Sequence, residues 1–336
     1  MDFDGRSVLV VGGAGYVGSV LTTLLLDAGA KVRVLDQLIY DNGFSLQHLL
    51  DREHMSFMRG DLRDRDVFMR AADGVSDVVL LASLVGDPIC KKYPELAVRV
   101  NEDGARQIID ALDDIGVKRF VFASTCSNYG IHDSSTFASE DSELNPQSLY
   151  ARTKIEVEKY LLKKAHSDSF SGTVLRVATA YGLSPRMRFD LTVSQFAWEL
   201  ASGAHLLVYD ADTWRPYCHV RDISKAIMTV LTQPEERVRG QVFNVGDDTQ
   251  QFTKRMIVEE VQKHLQGLEV EYRSGDTDPR NYRVSFRKIS EQLGFKCDFS
   301  VQRYIPVVTE AVRNGIFPDV RGNVRFGNHQ VLNLSI

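Results

Sequence analysis

The chain has 336 residues, 43% of them hydrophobic and 25% charged, with 40 Lys and Arg against 45 Asp and Glu for a formal charge of -5. That length leaves room for roughly two packed units, and the composition excludes a collagen-like, wholly disordered or small disulfide-stapled protein. An acidic balance argues against a nucleic-acid partner, so an anionic ligand has to be met by local cations. The cysteines (Cys90, Cys126, Cys218 and Cys297) are scattered, with no Cys-x-x-Cys pair and no His at zinc spacing. This predicts a reducing compartment and no metal site. No run approaches the ~20 apolar residues of a membrane span. The start, MDFDGRS, is acidic where a leader is basic, so a cytoplasmic location without a membrane partner is expected.

In chain order, residues 7–11 (SVLVV) form a continuous apolar run, as in a strand buried on both faces. A glycine-rich turn follows, then a helical pattern through Val20, Leu21, Leu24 and Leu25 that ends near Gly29. Further strands are predicted at 31–36, 54–59, 77–81, 119–123 and 172–177, with helical stretches between most of them. That alternation implies an α/β fold, a doubly wound parallel sheet with helices on both faces. After about Ala180 the pattern loosens. A helix at 191–201, a strand at 205–209, a helix at 219–231 and a strand at 241–245 are followed by a helix at 253–265 and a strand at 269–272. The expected division is a larger unit of 1–179 plus about 219–246, a smaller α/β unit of 180–218 plus about 247–317, and a tail of 318–336. The tail has no clear period and is expected to be extended or partly mobile, although its apolar end could dock on the body.

Val11-Gly12-Gly13-Ala14-Gly15-Tyr16-Val17-Gly18 lies where the first strand must turn into the first helix. Absent side chains allow a sharp turn, a close approach of a diphosphate to the helix N-terminus, and close helix–strand packing. Asp36 ends the second strand about 20 residues on, where a carboxylate accepts from an adenosine ribose. No Arg or Lys follows it immediately, which favours NAD over NADP. Asp61, after the third predicted strand, either accepts from an adenine amino group or is a solvated turn carboxylate.

Tyr150 and Lys154 stand four residues apart, on one helix face. A phenol is too weakly acidic to act as a base at neutral pH unless a cation stabilises its phenolate, and Lys154 with a nicotinamide would provide that charge. Tyr160 and Lys164 repeat the spacing. Ten residues along a helix rotate the second pair well away from the first, so one site cannot use both. A hydroxyl at the end of strand 119–123 completes the set: Thr125 is preferred, with Ser124 or Ser127 second. Cys126 reads as a packing residue or a weak acid.

Together the glycine turn, Asp36, Asp61, Ala82-Ser83, Asn101, Ser124-Thr125 and Tyr150 with Lys154 resemble the extended short-chain dehydrogenases/reductases. More narrowly they resemble the NAD-dependent nucleotide-sugar epimerases and dehydratases. The resemblance runs from about Ser7 to Phe317 and implies a Rossmann unit with a smaller substrate unit, NAD as cofactor, a nucleoside-diphosphate sugar as substrate, and a homodimer through 101–112 and 150–162. It implies cofactor contacts at Gly12, Gly15, Tyr16, Val17, Asp36, Asp61, Leu62, Ala82 and Lys154, and a steadying role for Asn101. Substrate contacts are implied at Ser124, Thr179, Arg188, Ser194, Arg215 and Arg273, with Arg280 a rival to Arg273. Several positions depart from the family pattern. Val11 replaces a Thr, Thr179 and Ser194 replace Asn, and Cys126-Ser127 replaces the Asp-Glu pair of 4,6-dehydratases. The resulting expectation is C4 chemistry, as a 4-epimerase or 4-dehydrogenase with Tyr150, Lys154 and Thr125 catalytic. The alternatives are an atypical dehydratase using Cys126 and a non-catalytic NAD-responsive binding protein.

Overall fold

The structure is a computed structural model that describes residues 1–133, 135–164, 169–267, 269–275 and 279–332. Its strands in chain order are β1 (Ser7–Val11), β2 (Lys31–Asp36), β3 (Met55–Arg59), β4 (Asp77–Leu80), β5 (Arg119–Thr125), β6 (Ser171–Val177), β7 (Thr179–Tyr181), β8 (Leu206–Tyr209), β9 (Trp214–His219), β10 (Gln241–Val245), β11 (Gln251–Thr253) and β12 (Val270–Arg273). Seven of them make one parallel sheet in the order β10-β6-β5-β4-β1-β2-β3. All four residues of β4 and the last four of β1 are buried, the sequence signature of strands covered on both faces.

Chain order reverses at β1. The chain runs outward through β2 and β3 on one side, then returns to place β4 on the other, with Val11 opposite both Leu35 and Leu80. Crossovers therefore leave in opposite directions from β1 and β4, opening a crevice at their carboxyl ends where α/β sheets bind ligands. Helices Tyr16–Asp27 and Val220–Thr232 cover one sheet face, where Leu21, Leu25, Ile227 and Leu231 pack in one apolar cluster with Val8 and Val10. Helices Gly104–Ile115 and Leu149–Lys164 cover the other, with Ile108, Leu112, Val157 and Leu161 against Leu9, Val78 and Phe120.

The remaining strands form a three-stranded sheet, β11-β9-β7, and a parallel pair, β12-β8. They share a separate core with helices Thr192–Ala201 and Val301–Arg313, built on Phe196, Leu200, Leu206, Val208, Ile305 and Val308. The three-residue strands β7 and β11 are too short to announce themselves by periodicity.

The segment after Pro318 does not hang free over its described length. Phe189 N–H donates to the Phe326 carbonyl (2.8 Å), and Leu332 N–H donates to the Ile39 carbonyl (2.9 Å). Val331 is buried with Tyr40, Leu84, Ile89 and Cys90. Through Leu332 the segment docks on the body, the second of the two expectations for it, and residues 333–336 lie outside the described residues.

Candidate active site

The glycine turn joins β1 to the Tyr16–Asp27 helix. Gly12 has φ +89°, and a Cβ there would stand 2.6 Å from the backbone nitrogen of Ala82. Both facts demand glycine. A Cβ on Gly18 would run into the Gly12 carbonyl, so the helix can start this close to the strand only without a side chain there. Asp36 ties the turn to the loop after β2, accepting from Ala14 N–H (3.0 Å) and Leu38 N–H (2.8 Å). Burial raises its pKa, with these two bonds opposing the shift.

This turn opens on a cavity of about 590 Å³ that runs from Gly12, Gly15, Asp36 and Asp61 to Thr125, Tyr150, Lys154, Thr179 and Arg215. Tyr16, Val17, Leu62, Ala82, Ser124, Arg188 and Arg280 also line it. Tyr16 turns its hydroxyl to the Gly182 carbonyl (2.6 Å). Burial pushes the Asp61 carboxyl up, but bonds from Arg63, including an ion pair at 2.5 Å, outweigh that and hold it below its ordinary value. Asn101 grips both backbone groups of Leu84, accepting at 2.7 Å and donating at 3.1 Å, and so fixes the chain beyond β4.

Tyr150 and Lys154 occupy the first turns of the Leu149–Lys164 helix. Lys154 donates to the Ala123 carbonyl at 2.9 Å, and its ammonium lies 5.8 Å from the centre of the Tyr150 ring. The β5 carbonyl thus anchors the lysine beside the phenol. Thr125, the last residue of β5, accepts from Ser127 N–H at 3.1 Å, which leaves its hydroxyl proton to donate elsewhere. Burial lifts the Tyr150 phenol above its ordinary value and lowers Lys154 from 10.5 to about 8. The second pair, Tyr160 and Lys164, instead meets Asp110 at 2.6 and 2.9 Å.

The lowered lysine has a consequence for stability. Because its folded-state pKa lies below its unfolded value, the unfolded chain binds more protons between about pH 8 and 10.5, and stability rises with pH across that window. Lys154→Met removes this dependence. Its stability relative to wild type is expected to fall by on the order of 3 kcal/mol between pH 7 and 10.5. Urea unfolding of both proteins at the two pH values checks it, and parallel curves would contradict it.

Behind the site, Glu158 stands one further turn along the Tyr150–Lys154 face. It is 2% exposed and paired with Arg176 at 2.8 Å. Asn128 donates to it at 2.7 Å, and the hydroxyl of Ser124 donates to the same oxygen. Ser124 therefore reaches the cavity wall with its hydroxyl committed to the interior. Arg176 also donates to Tyr129 (3.0 Å) and to the Glu140 carbonyl (3.1 Å).

Two expected substrate residues stand outside the cavity lining. Ser194 is fully buried and bonds Tyr304 at 3.0 Å, because its face of the Thr192–Ala201 helix packs inward. Arg273 is exposed and pairs with Glu271 at 2.6 Å. Its rival Arg280 does line the cavity, paired with Asp87 at 2.8 Å. Arg215 stacks on Tyr282, 5.1 Å from the ring centre. Arg188 donates from Nε and Nη2, one edge of its guanidinium, to the two carboxylate oxygens of Asp190, at 2.9 and 2.6 Å. Cys126 is 1% exposed, bonds the Arg176 carbonyl at 3.2 Å, and has its thiol pKa raised far up by burial. It lies in the core and not on the cavity wall, so the dehydratase alternative loses its acid. Residues that sequence reasoning missed are Arg186, Tyr40, Asp87 and Tyr282, with Asn328 and His329 from the C-terminal segment.

A glycine cradle with no room for a Cβ, a carboxylate at the end of β2 and a long cavity between them and Tyr150 fit a dinucleotide. The NAD dependent epimerase/dehydratase family profile matches residues 8–246. A low-salt glycan biosynthesis protein, Agl12, from Haloferax volcanii is 29% identical over 306 residues, covering 88% of this chain and 94% of its own. UDP-glucose 4-epimerase from Corynebacterium glutamicum is 28% identical over 305 residues, covering 86% and 90%. Among solved structures, MoeE5 in complex with UDP-glucuronic acid and NAD matches with TM-score 0.80 and 27% identity over 92% of this chain and 99% of that one. The NAD complex of Thermus thermophilus UDP-glucose 4-epimerase gives 0.79 and 26% over the same shares. With most of the chain inside the matched profile, this protein belongs to the NAD-dependent epimerase/dehydratase family, is an enzyme of that family, and uses NAD as its cofactor.

Proposed function

We propose that the chain oxidises C4 of a nucleoside-diphosphate sugar, as a 4-epimerase or 4-dehydrogenase. One observation carries this reading. Tyr150, Lys154 and Thr125 line the same cavity as the glycine turn and Asp36. Tyr150 takes the C4 hydroxyl proton while Thr125 donates to that oxygen and holds it in place. Lys154, fixed by the Ala123 carbonyl, stabilises the phenolate. NAD, when bound, accepts the C4 hydride. Arg215 and Arg280 meet the substrate diphosphate, as planar guanidinium groups suit paired phosphate oxygens.

Residues 1–179 with about 219–246 carry the cofactor in this reading, and 180–218 with about 247–317 carry the nucleotide sugar. Two copies pair through 101–112 and 150–162, which sedimentation at micromolar concentration tests. For the reaction, the purified enzyme is incubated with UDP-, dTDP-, GDP- and CDP-sugars and the products are examined by NMR. Inversion or a ketone at C4 of a subset is the expected result. Loss of water from C5 and C6, with solvent deuterium incorporated there, would overturn it.

A further inference from the structure

Arg186 lies on the cavity wall, 2% exposed, and among the described residues it has no ion pair. Its Nη2 donates to the Gly327 carbonyl at 3.1 Å, its guanidinium lies 4.9 Å from the centre of the Tyr40 ring, and its Nε is buried without an acceptor. Arg188, two residues on, has its Nε–Nη2 edge paired with Asp190. A guanidinium taken out of water without a counter-ion is costly unless an anion completes its shell. Its lowered pKa, about 10 through burial, fits that setting.

Its neighbours say which anion. Ser184 donates to the Tyr16 carbonyl (2.7 Å), lies 3.1 Å from the Ser19 hydroxyl, and accepts from Arg186 N–H (3.2 Å). These bonds moor the Arg186 loop to the first turn of the helix that the glycine turn starts. The charges of Asp190 and, more weakly, Asp36 also act on Arg186. Arg215 and Arg280, by contrast, sit with Tyr282 and Ser127. Among the described residues, the one hydrogen-bond acceptor of the Arg186 guanidinium belongs to the C-terminal segment. That segment is itself fastened by Asn328 N–H to Asp190 (3.0 Å) and by Arg325 to Asp41 (2.8 Å).

We propose that Arg186 is a diphosphate-binding residue of the NAD site, contributed from beyond β7 and held in place by the docked C-terminal segment. The glycine turn then meets the dinucleotide's diphosphate with backbone N–H groups while Arg186 meets it with charge. The inference rests on NAD as cofactor and not on the chemistry at C4.

Titration calorimetry with NAD, ADP-ribose, adenosine and UDP tests it on four proteins: wild type, Arg186→Gln, a chain ending at Gly322, and the two changes combined. Arg186→Gln is expected to weaken NAD and ADP-ribose by about 10- to 100-fold, leaving adenosine and UDP within about twofold. Arg186→Lys recovers part of the loss. The shortened chain loses a comparable factor, and the combination loses no more than either change alone. Unchanged NAD affinity in Arg186→Gln overturns the proposal. So does an equal loss for adenosine, which would mean local collapse, or a loss confined to UDP, which would assign Arg186 to the nucleotide sugar. Additive losses in the combined protein overturn the role of the segment.

Discussion

Tyr150→Phe is expected to lower turnover on any accepted nucleotide sugar by about 10²- to 10⁴-fold, the usual contribution of a positioned general base. The substitution keeps the ring and removes one oxygen, so the cavity wall and the contact with Lys154 survive and NAD affinity stays within about twofold. Burial chiefly, and Cys90 and Asp87 secondarily, hold the phenol above its ordinary pKa. Ionisation at working pH therefore depends on positive charge brought near the ring. The rate of the wild-type enzyme is expected to rise with pH toward that ionisation, and the limb to vanish in the variant. Steady-state kinetics with parallel NAD titration separate the two effects. A variant that turns over at a comparable rate would remove Tyr150 from the chemistry.

Glu158→Ala is expected to be the most damaging single change away from the cavity, by about 3–5 kcal/mol. The glutamate accepts from Arg176, Asn128 and Ser124, which come from three different elements, and its loss strands a guanidinium that is 5% exposed. The cost is mainly that of an uncompensated buried charge, so replacing both partners with apolar residues should cost less than replacing one. Because Glu158 also raises Lys154 against the opposing effect of burial, Glu158→Gln should depress the lysine further. Urea unfolding of the single and double variants reads the first effect. A loss under about 1 kcal/mol in Glu158→Ala would show that the pair is not what locks the helix to β5 and β6.

Much of the fold is legible in the sequence, for a physical reason. A parallel strand covered on both faces reads as an apolar run, as 7–11 does, and the β-branched and aromatic residues of 31–36 and 241–245 mark strands even with polar residues among them; all three have the same limits in the structure as in the pattern. The glycine turn was equally plain, because Gly12 and Gly18 answer steric demands that the strand–turn–helix context already imposes. Legibility fails where a contact joins distant segments. Nothing local in the last 19 residues says that Val331 will pack on Tyr40 and Leu84. Ser194 lies on an otherwise plausible helix, and only the packing of that helix turns its hydroxyl to Tyr304. The arginines are the most instructive case. Arg188, expected as a substrate contact, lines the cavity with one edge paired to Asp190 two positions on. Arg186, with no acid at that spacing, has no ion pair among the described residues, which only the packed structure shows.

The central claim is that hydrogen leaves C4 of a sugar as Tyr150 removes the hydroxyl proton. Its most direct test uses a nucleoside-diphosphate sugar deuterated at C4, chosen from those that the enzyme accepts, under single-turnover conditions. The account predicts deuterium on the enzyme's nicotinamide cofactor, or back at C4 in the inverted configuration without exchange with water, and neither in Tyr150→Phe. Turnover that leaves the C4 deuterium in its original place, or exchanges it with solvent, would contradict the account.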